Sequence, residues 1–374
     1  MYIQEKKKMH LQRLILTDFK NIRNADITFS QGVNCFLGNN GAGKTNLLDA
    51  VHYLSMTRSY FSHIDAQAIS FGAPFFSLSG HYLFEDAPGE HIVCVAQATG
   101  EKWVKRNDKN YARFSEHLGL LPIVMISPSD TQLIHGSAEE RRRFLNALLS
   151  QMDLSYLSVL QQYNKILIQR NQYLKQGGSN VGMIEAFDLQ LSAKATVIYQ
   201  KRVDLCKRLA PEAQKYYAIL SGKAEELSLS YRSDLENSSL ESLLKESFSR
   251  DQALGFTSLG IHRDDVVFML NHHSVRKFGS QGQQKTFLLA LKLAQFEVMK
   301  HRSGTASMLL LDDVFDKLDM NRVAHLLKLV AQEHFGQIFI TDSNKARMES
   351  VINQFTNEYA IFDVNNGVIK RGEA

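Results

Sequence analysis

The stretch that most constrains this chain is a glycine-rich loop within residues 36–47, which read Phe-Leu-Gly-Asn-Asn-Gly-Ala-Gly-Lys-Thr-Asn-Leu. Gly38 is followed, after four residues, by Gly43, Lys44 and Thr45, which is the spacing of a phosphate-binding loop. Glycines let the backbone curl so that successive N–H groups point at phosphate oxygens, and a following helix adds its positive N-terminal end. The sequence therefore predicts a strand, a phosphate-binding loop and a helix in that order.

The residues of this loop have expected parts in holding a nucleoside triphosphate. Lys44 should reach the β- and γ-phosphates, and the Thr45 hydroxyl should bind Mg²⁺. The setting is the required one, because residues 33–37 are an apolar run of strand type and residues 46–56 carry apolar side chains at helical spacing. The residues predicted to bind the nucleotide here are Gly38, Asn39, Asn40, Gly41, Ala42, Gly43, Lys44, Thr45 and Asn46.

The composition is that of an ordinary globular protein. The 374 residues suffice for one large or two ordinary domains, and 44% are apolar, 22% are charged and the net charge is +4. No window of about 18 apolar residues occurs, and no apolar region follows the N-terminal lysines, so we expect a cytoplasmic chain without a membrane span. Cys35, Cys94 and Cys206 lie in apolar runs and are expected to be buried, inert thiols.

The first 120 residues are predicted to be mostly antiparallel sheet around the helix that follows the phosphate-binding loop. Residues 11–17 and 25–29 are typical of a two-stranded meander that leads into the strand before Gly38. The alternating runs at residues 75–84 and 91–98 are typical of a hairpin.

A helical and basic region follows. Ser137 and Glu140 have the spacing of a capping box at a helix start. Two amphipathic helices come next and predict an antiparallel helical hairpin, the second helix being bent or ended at Pro211. Between Arg141 and Lys215, twelve Lys and Arg stand against five Asp and Glu. The sequence leaves two interpretations of this surface open, a binding site for nucleic-acid phosphates and a solvated helix face.

A second polar loop opens directly onto a helix. Residues 279–285, called the Ser280 loop below, read Gly-Ser-Gln-Gly-Gln-Gln-Lys. A polar loop at a helix N-terminus is suited to holding an anion, and Ser280 adds a hydroxyl donor. By itself the segment would be interpreted as a flexible loop.

Two carboxylates follow a buried strand near the C-terminus. Residues 308–311 are apolar and deliver Asp312 and Asp313, the arrangement in which the first acidic residue binds Mg²⁺. Asp313 stands where a carboxylate orients or deprotonates the attacking water. The next strand, residues 337–340, delivers Thr341 to Ser343, which are suited to sensing a γ-phosphate.

The order of these motifs resembles the ABC ATPase family in its SMC and Rad50 branch, and within that branch the bacterial RecF family. The resemblance covers nearly the whole chain. Its pieces are Phe19-Lys20-Asn21 and residues 38–45, 127–145, 260–265, 280–286 and 309–319.

Three places depart from the usual family pattern. Ile261 stands where Pro is usual before His-Arg-Asp-Asp, and Ser129 stands where Glu is usual between Pro and Asp. The loop at residues 316–319 reads Asp-Lys-Leu-Asp instead of Ser-Glu-Leu-Asp, which changes what it can offer a neighbouring active site.

The resemblance implies an α/β fold, namely an ABC-type P-loop ATPase head whose mixed sheet includes an antiparallel meander, with an inserted helical lobe. In this division, residues 1–136 form the N-terminal part of the ATPase lobe. Residues 137–250 form the inserted, mainly helical lobe. Residues 251–374 form the C-terminal part, with the Ser280 loop and the two carboxylates.

The resemblance also implies an ATP-dependent homodimer in which two ATP molecules lie in the interface. The Ser280 loop of one copy would close over the γ-phosphate held by Lys44 of the other, with Gly282 and Gln283 as further nucleotide contacts. Lys44, Asp313 and Ser280 would then be the catalytic residues, and Thr45 and Asp312 the Mg²⁺ ligands. ATP hydrolysis should be weak and DNA-dependent, and should release the dimer.

The implied partners are DNA, double-stranded and next to single-stranded gaps, and RecR, with RecO and RecA indirectly. The setting would be replication, recombinational repair and the SOS response to DNA damage. We expect Arg141, Arg142 and Arg143 to contact the DNA. The alternatives are a structural SMC or Rad50 head, a transporter ATPase subunit and a small-molecule kinase. The first would need a longer helical arm than this chain has. The second usually has a signature of the Leu-Ser-Gly-Gly-Gln type and a surface that docks on a membrane partner, and the third would need no Ser280 loop.

Overall fold

The computed structural model describes most of the chain, and the predicted loop at residues 316–319 lies outside the described residues. The described residues are 9–85, 87–178, 180–222, 225–303, 306–315, 322, 325–326, 329, 335–345, 348 and 358–372.

The strands alternate with helices only in part, as expected for a mixed fold. The strands are β1 (Met9–Phe19), β2 (Ile22–Thr28), β3 (Val33–Leu37), β4 (Phe75–Phe84), β5 (Ala87–Gln97), β6 (Lys102–Arg106), β7 (Lys109–Asn110), β8 (Ile123–Ile126), β9 (Leu227–Arg232), β10 (Asp265–Leu270), β11 (His273–Ser274), β12 (Met308–Asp312), β13 (Ile338–Asp342), β14 (Tyr359–Asn365) and β15 (Val368–Arg371). The helices are α1 (Lys44–Met56), α2 (Gln132–His135), α3 (Ala138–Met152), α4 (Leu154–Lys175), α5 (Val181–Ser221), α6 (Leu240–Leu254), α7 (Val275–Phe278) and α8 (Gln281–Ser303).

Two compact units divide the chain. The first contains residues 1–130, 219–221 and 295–374, and the second contains residues 131–218 and 222–294. The Ser280 loop is therefore grouped with the helical residues of the second unit. The predicted domain boundaries stay a prediction, because a division by contacts does not say which part of a chain is inserted.

The first unit contains a mainly parallel sheet with the strand order β15-β14-β3-β13-β12-β8. The strands β14, β3, β13, β12 and β8 run parallel, and β15 is antiparallel to β14. The strands β3, β8, β12 and β13 are buried throughout, as strands covered on both faces must be. Because the carboxyl ends of parallel strands meet at one edge, the residues that follow β3, β8, β12 and β13 come together there.

The first unit also contains an antiparallel sheet with the order β2-β1-β4-β5-β6-β7. One apolar core joins this sheet, α1 and the parallel sheet; Leu14, Leu47, Phe76 and Phe339 are among its fully buried members. Antiparallel strands are thus the main secondary structure of the first 120 residues and share a core with α1, although fewer than half of those residues lie in them. The predicted two-stranded meander is confirmed, because β1 and β2 pair. It leads into β3, which lies in the parallel sheet and is fully buried.

The second unit packs α2 to α7 and the first part of α8 with a small antiparallel sheet of the order β11-β10-β9. Local capping explains where its longer helices begin. The Asp153 side chain accepts hydrogen bonds from the backbone N–H groups of Ser155 and Tyr156 at the start of α4. The Asn180 side chain accepts one from Met183 at the start of α5.

Two local predictions in this unit differ from the structure. The helix α5 continues through Pro211. Leu209 and Ala213, on either side of this proline, are fully buried, and their packing offsets the roughly 3 kcal/mol that an internal proline costs. Ser137 does precede α3, but its side chain makes no capping hydrogen bond. The Glu140 carboxylate instead accepts a hydrogen bond from Arg143.

Candidate nucleotide-binding site

The glycine loop predicted to bind phosphate connects β3 to α1 at the carboxyl edge of the parallel sheet. Gly43 has a φ of 114°, a conformation that side-chain-bearing residues rarely adopt. A methyl group at Gly38 would lie 2.1 Å from the carbonyl oxygen of Val364. The loop therefore needs glycine at both positions, in one case for its backbone angle and in the other for close packing against β14.

Lys44 lies in the first turn of α1 and is 7% exposed. Its ammonium group donates hydrogen bonds to the carbonyl oxygens of Gly38 at 2.7 Å and Asn39 at 3.0 Å. Burial lowers the pKa of Lys44, and the carboxylates of Asp313, Asp312 and Asp342 oppose part of that effect. A desolvated cation held by neutral carbonyls is stabilised by an anion, so this position suits a phosphate group.

The Asp312 carboxylate lies at the end of β12 and is held by hydroxyl groups from two other elements. The hydroxyls of Thr45 and Thr341 donate hydrogen bonds to Asp312 Oδ1 at 2.8 and 2.9 Å. The Ser127 hydroxyl, after β8, lies 3.5 Å from Oδ2. Burial raises the pKa of Asp312, and the hydrogen bonds from Thr45 and Thr341 act against this.

Asp313 follows Asp312 in a strained position. Its φ is 49°, in the left-handed region, and its backbone N–H donates to the Thr341 hydroxyl at 2.9 Å. Thr341 therefore ties both carboxylate residues to the end of β13. The two carboxylates remain close enough for the charge of Asp313 to raise the pKa of Asp312.

A turn between β1 and β2 supports the loop from one side. The Asn21 side chain donates to the carbonyl oxygen of Ala42 at 3.3 Å and accepts from the Asn46 side chain at 2.8 Å. Lys20 pairs with Asp49 of α1 at 2.6 Å, and Asp49 is fully buried. The structure thus gives Lys20 an ion-pair partner on α1 and gives Asn21 a direct contact with the loop.

In the second unit, Ser280 and Gln281 are exposed and the other residues of the Ser280 loop are half-buried. Residues 281–285, predicted to precede the helix, form the first turn of α8, and Ser280 caps its N-terminus. The Ser280 hydroxyl accepts from the Gln283 N–H at 3.2 Å, and the Gln283 side-chain oxygen accepts from the Ser280 N–H at 2.8 Å. These are the two reciprocal bonds of a capping box. Phe278, immediately before the loop, is 72% exposed.

The three arginines predicted to contact DNA have different surroundings. Arg141 is buried, pairs with Asp265 at 2.7 Å and donates to two backbone carbonyls. Arg142 donates to the carbonyl oxygen of Asp264 at 2.7 Å. Arg143 is exposed on α3, where its partners are Glu139 and Glu140. Geometry therefore favours a bracing role for Arg141 and Arg142, and leaves Arg143 on the surface.

Other basic residues of the helical unit also divide into a buried and an exposed group. Arg170 is fully buried and pairs with Asp188 and Asp251 at 2.6 and 2.8 Å. Arg202 is also buried and donates to the carbonyl oxygen of Ile261 at 2.8 Å. The exposed basic residues on α4 and α5 are Lys165, Lys175, Lys207, Arg208 and Lys215.

The structure brings together Lys44, Thr45 and Asp312, as the sequence predicted, and adds Asn21, Ser127 and Thr341 around them. A signal for Ser127 was available, because it follows a buried strand whose carboxyl end meets that of β12. Asn21 was singled out only as part of the Phe19-Lys20-Asn21 piece of the resemblance, and its contact with the loop needed the structure, since a polar turn residue has no preferred partner. The three cysteines are free and buried, and burial raises the pKa of Cys94 to about 12.

Two absences concern only the described part of the chain. The helices in it include none whose length and apolar character would let it cross a membrane. In the same residues, no group of three or more His, Cys, Asp and Glu side chains is arranged to hold a metal ion. A divalent ion at Asp312 would therefore take its other ligands from hydroxyl groups, water or a bound phosphate.

Comparisons with known proteins agree along the whole chain. Residues 10–370 match the family described as RecF/RecN/SMC N terminal domain. The DNA replication and repair protein RecF of Parabacteroides distasonis is 44% identical over 362 residues, which cover 97% of this chain and 99% of that protein. The protein of the same description from Porphyromonas gingivalis is 43% identical over 362 residues, with coverages of 96% and 100%.

Solved structures give the same result. The recombination mediator protein RecF of the RecFOR pathway, solved with ATP, is 29% identical and superimposes with a TM-score of 0.90 over 100% of both chains. An Smc head domain from Pyrococcus furiosus, at 16% identity, has a TM-score of 0.58 over 97% of this chain and 96% of that one, which is a likeness of fold alone. The predicted α/β fold of an ABC-type ATPase head with a helical segment is confirmed.

Proposed function

The chain belongs to the RecF family of DNA replication and repair proteins, and from that premise we propose that it is an ATP-dependent DNA-binding protein of recombinational repair. RecF-family membership makes it a recombination mediator of the ATPase class. In the proposed cycle, ATP joins two copies, the dimer binds DNA next to a single-strand gap, and slow hydrolysis separates the copies again.

The observation that carries this proposal is the convergence of Lys44, Thr45 and Asp312 at the carboxyl edge of the parallel sheet. Lys44 offers a buried positive charge for the β- and γ-phosphates. The Thr45 hydroxyl and the Asp312 carboxylate are hard oxygen donors that already touch each other, so they fit Mg²⁺. A bound Mg²⁺ would neutralise phosphate charge at this edge.

The neighbouring residues then have defined tasks in hydrolysis. Asp313 is the carboxylate that would orient or deprotonate the attacking water, because it directly follows Asp312 and its charge acts on Lys44, where the γ-phosphate would lie. Thr341 holds the backbone of Asp313 and also the carboxylate of Asp312. The glycine loop, residues 38–46, would surround the phosphates with backbone N–H groups.

The second half of the site would come from another copy. Ser280 is exposed and directly precedes α8, and Gly282 and Gln283 lie in the first turn of that helix, where the Ser280 hydroxyl hydrogen and the helix dipole favour an anion. If this loop binds the γ-phosphate held by Lys44 of a second copy, ATP increases dimer affinity and its hydrolysis decreases it. The assembly is then an ATP-dependent homodimer.

DNA binding would use the exposed basic residues of the helical unit. Arg143 and the lysines and arginine exposed on α4 and α5 supply positive charge for the phosphate backbone. Contacts with phosphates do not distinguish one base sequence from another. The dimer would therefore select DNA by its shape, such as a duplex next to a single-strand gap. Contact with DNA would also stimulate the weak ATPase activity.

The remaining steps involve other proteins in the cytoplasm. A relative has been solved as the recombination mediator of the RecFOR pathway, and by analogy this chain would act with RecR, and through RecR with RecO. The product would be RecA loaded on single-stranded DNA. The same activity would support replication forks and the SOS response.

Sedimentation of the purified protein tests ATP and DNA together. The chain should be monomeric alone, dimeric with ATP and Mg²⁺, and bound as a dimer to gapped duplex DNA when ATP is present. The Lys44→Met variant should stay monomeric in every mixture, because it lacks the cation that holds the β- and γ-phosphates. Dimers that form without nucleotide, or a Lys44→Met variant that dimerises like the wild type, would contradict the proposal.

A further inference from the structure

Glu225, in the connection between α5 and β9, joins the end of a long helix to the Ser280 loop. Its Oε1 accepts a hydrogen bond from Nε2 of Gln283 at 2.7 Å. Its Oε2 accepts one from the hydroxyl of Tyr217 at 2.8 Å. All three residues belong to the second unit. One carboxylate therefore connects α5 with the predicted nucleotide loop.

The α5 side of this connection is firmly held. Tyr217 is fully buried. Gln214, three residues earlier on the same helix face, donates to the carbonyl oxygen of Glu225 at 3.1 Å and accepts from the N–H of Leu227 at 2.5 Å. Helix α5 thus fixes both the backbone around Glu225 and its side chain.

The loop side of the connection has a single chemically consistent orientation. A carboxylate can only accept hydrogen bonds, so the Gln283 amide must turn its nitrogen to Glu225. Its oxygen is then directed to the N–H of Ser280, which lies 2.8 Å away. Because the Gln283 amide uses both ends, Glu225 also sets the position of Ser280.

We propose that Glu225 is a positioning residue of the Ser280 loop, which holds Gln283 and Ser280 ready for the γ-phosphate of a second copy. This inference rests on the proposed function, in which the loop completes the partner's nucleotide site. A loop fixed before binding loses less conformational freedom when the dimer forms, so the anchor strengthens association without touching ATP. Helix α5 begins at Val181 and carries Gln214 and Tyr217 near its other end. A displacement of this helix would therefore move the Ser280 loop through the Glu225 carboxylate.

The test compares ATP-dependent dimerisation of single variants by sedimentation. Glu225→Ala should weaken the dimer about tenfold, the usual effect of one lost hydrogen bond to a charged group. Glu225→Gln should recover most of the affinity, because its side-chain oxygen still accepts from Gln283. Tyr217→Phe should weaken the dimer by less, since it removes one anchor without opening a cavity. ATP binding to the monomer should stay unchanged in all of them.

The neighbouring Glu226 provides a matched control. Its exposed carboxylate lies 3.3 Å from His272, a residue outside the Ser280 loop. Glu226→Ala should therefore dimerise like the wild type.

A double-mutant cycle separates positioning from simple stabilisation. If Glu225 acts through Gln283, the variant Glu225→Ala with Gln283→Ala should dimerise no more weakly than Gln283→Ala alone. Additive losses, or normal dimerisation of Glu225→Ala, would overturn the inference while leaving the proposed function intact. If Glu225→Ala does not fold, Tyr217→Phe and Gln283→Ala provide the same cycle. A wild-type chain that stays monomeric with ATP would instead overturn the proposed function, and this inference with it.

Discussion

The carboxyl edge of the parallel sheet and the Ser280 loop are both predicted to contact one nucleotide, yet they are built differently. At the sheet edge, Lys44 and Asp312 are buried, and hydroxyl groups from neighbouring elements already hold the carboxylate. In the Ser280 loop, Ser280 itself is exposed, its capping bonds with Gln283 and the bond from Gln283 to Glu225 hold it in place, and an exposed Phe278 precedes it. The proposed function fits this difference: in it, the edge binds the ligand and carries out the chemistry, and the loop contacts a second copy.

The largest effect is expected from Asp313→Asn, which should change chemistry at the edge without changing association. Loss of a general base typically slows a reaction about 100- to 10,000-fold, so hydrolysis should nearly stop while ATP stays bound and dimers persist on DNA. Single-turnover hydrolysis and sedimentation measure the two effects. The matched control is Asp108→Asn, an exposed residue in the turn between β6 and β7. Hydrolysis by Asp313→Asn at the wild-type rate would mean that the base lies elsewhere.

Ser280→Arg should have the opposite effect, and weaken association of the two copies without changing ATP binding by the monomer. The larger, positively charged arginine side chain should prevent the loop from approaching a partner. The ATP-dependent dimer should weaken about 100-fold or more, while the monomer still binds ATP. Fluorescent-nucleotide binding and sedimentation give the two values. Ser238→Arg introduces the same side chain at another exposed serine of the second unit and should have no effect. If Ser280→Arg weakens ATP binding by the monomer as much as it weakens dimerisation, the sheet edge and the Ser280 loop do not have separate roles.

Phe278→Ser sharpens the comparison by testing the apolar surface beside the loop. Burying an aromatic side chain in an interface contributes about 1.5–3 kcal/mol, so the dimer should weaken roughly tenfold or more. Phe71 is 97% exposed in the first unit, which makes Phe71→Ser the matched control. If Phe71→Ser weakens the dimer and Phe278→Ser does not, the surface for the second copy is not at the Ser280 loop.

The smallest effects concern DNA and separate Arg143 from Arg141. Arg143→Glu should lower DNA affinity a few-fold and flatten its dependence on salt, because the residue is exposed on α3. Arg141→Glu should mainly lower the unfolding temperature, since it places a carboxylate opposite Asp265 at a buried position. Binding at several salt concentrations and thermal unfolding measure these outcomes. The reverse result would return Arg141 to the DNA surface and make Arg143 the structural residue.

Local sequence patterns were sufficient to predict the residues at the sheet edge, because those residues lie in short motifs. Gly38, Lys44 and Asp312 follow buried strands, and parallel strands bring such residues to one edge. Patterns were insufficient for the basic lobe, because a count of charges treats Arg170 and Arg202 like exposed residues although both are buried in ion-pair networks. Pro211 inside α5 and the bracing role of Asn21 depend on tertiary packing, which no single window of sequence contains.

The most direct test of the central claim is complementation between two damaged copies. Lys44→Met removes the cation that binds the phosphates but keeps the Ser280 loop intact. Ser280→Arg damages that loop but keeps Lys44. Neither variant should therefore form a homodimer in ATP. If each site is shared between copies, the two variants carrying different fluorophores should associate with each other in ATP, since the pair contains one whole site. If instead the mixture stays as monomeric as each variant alone while the wild type dimerises, the nucleotide is held by a single copy and the account is wrong.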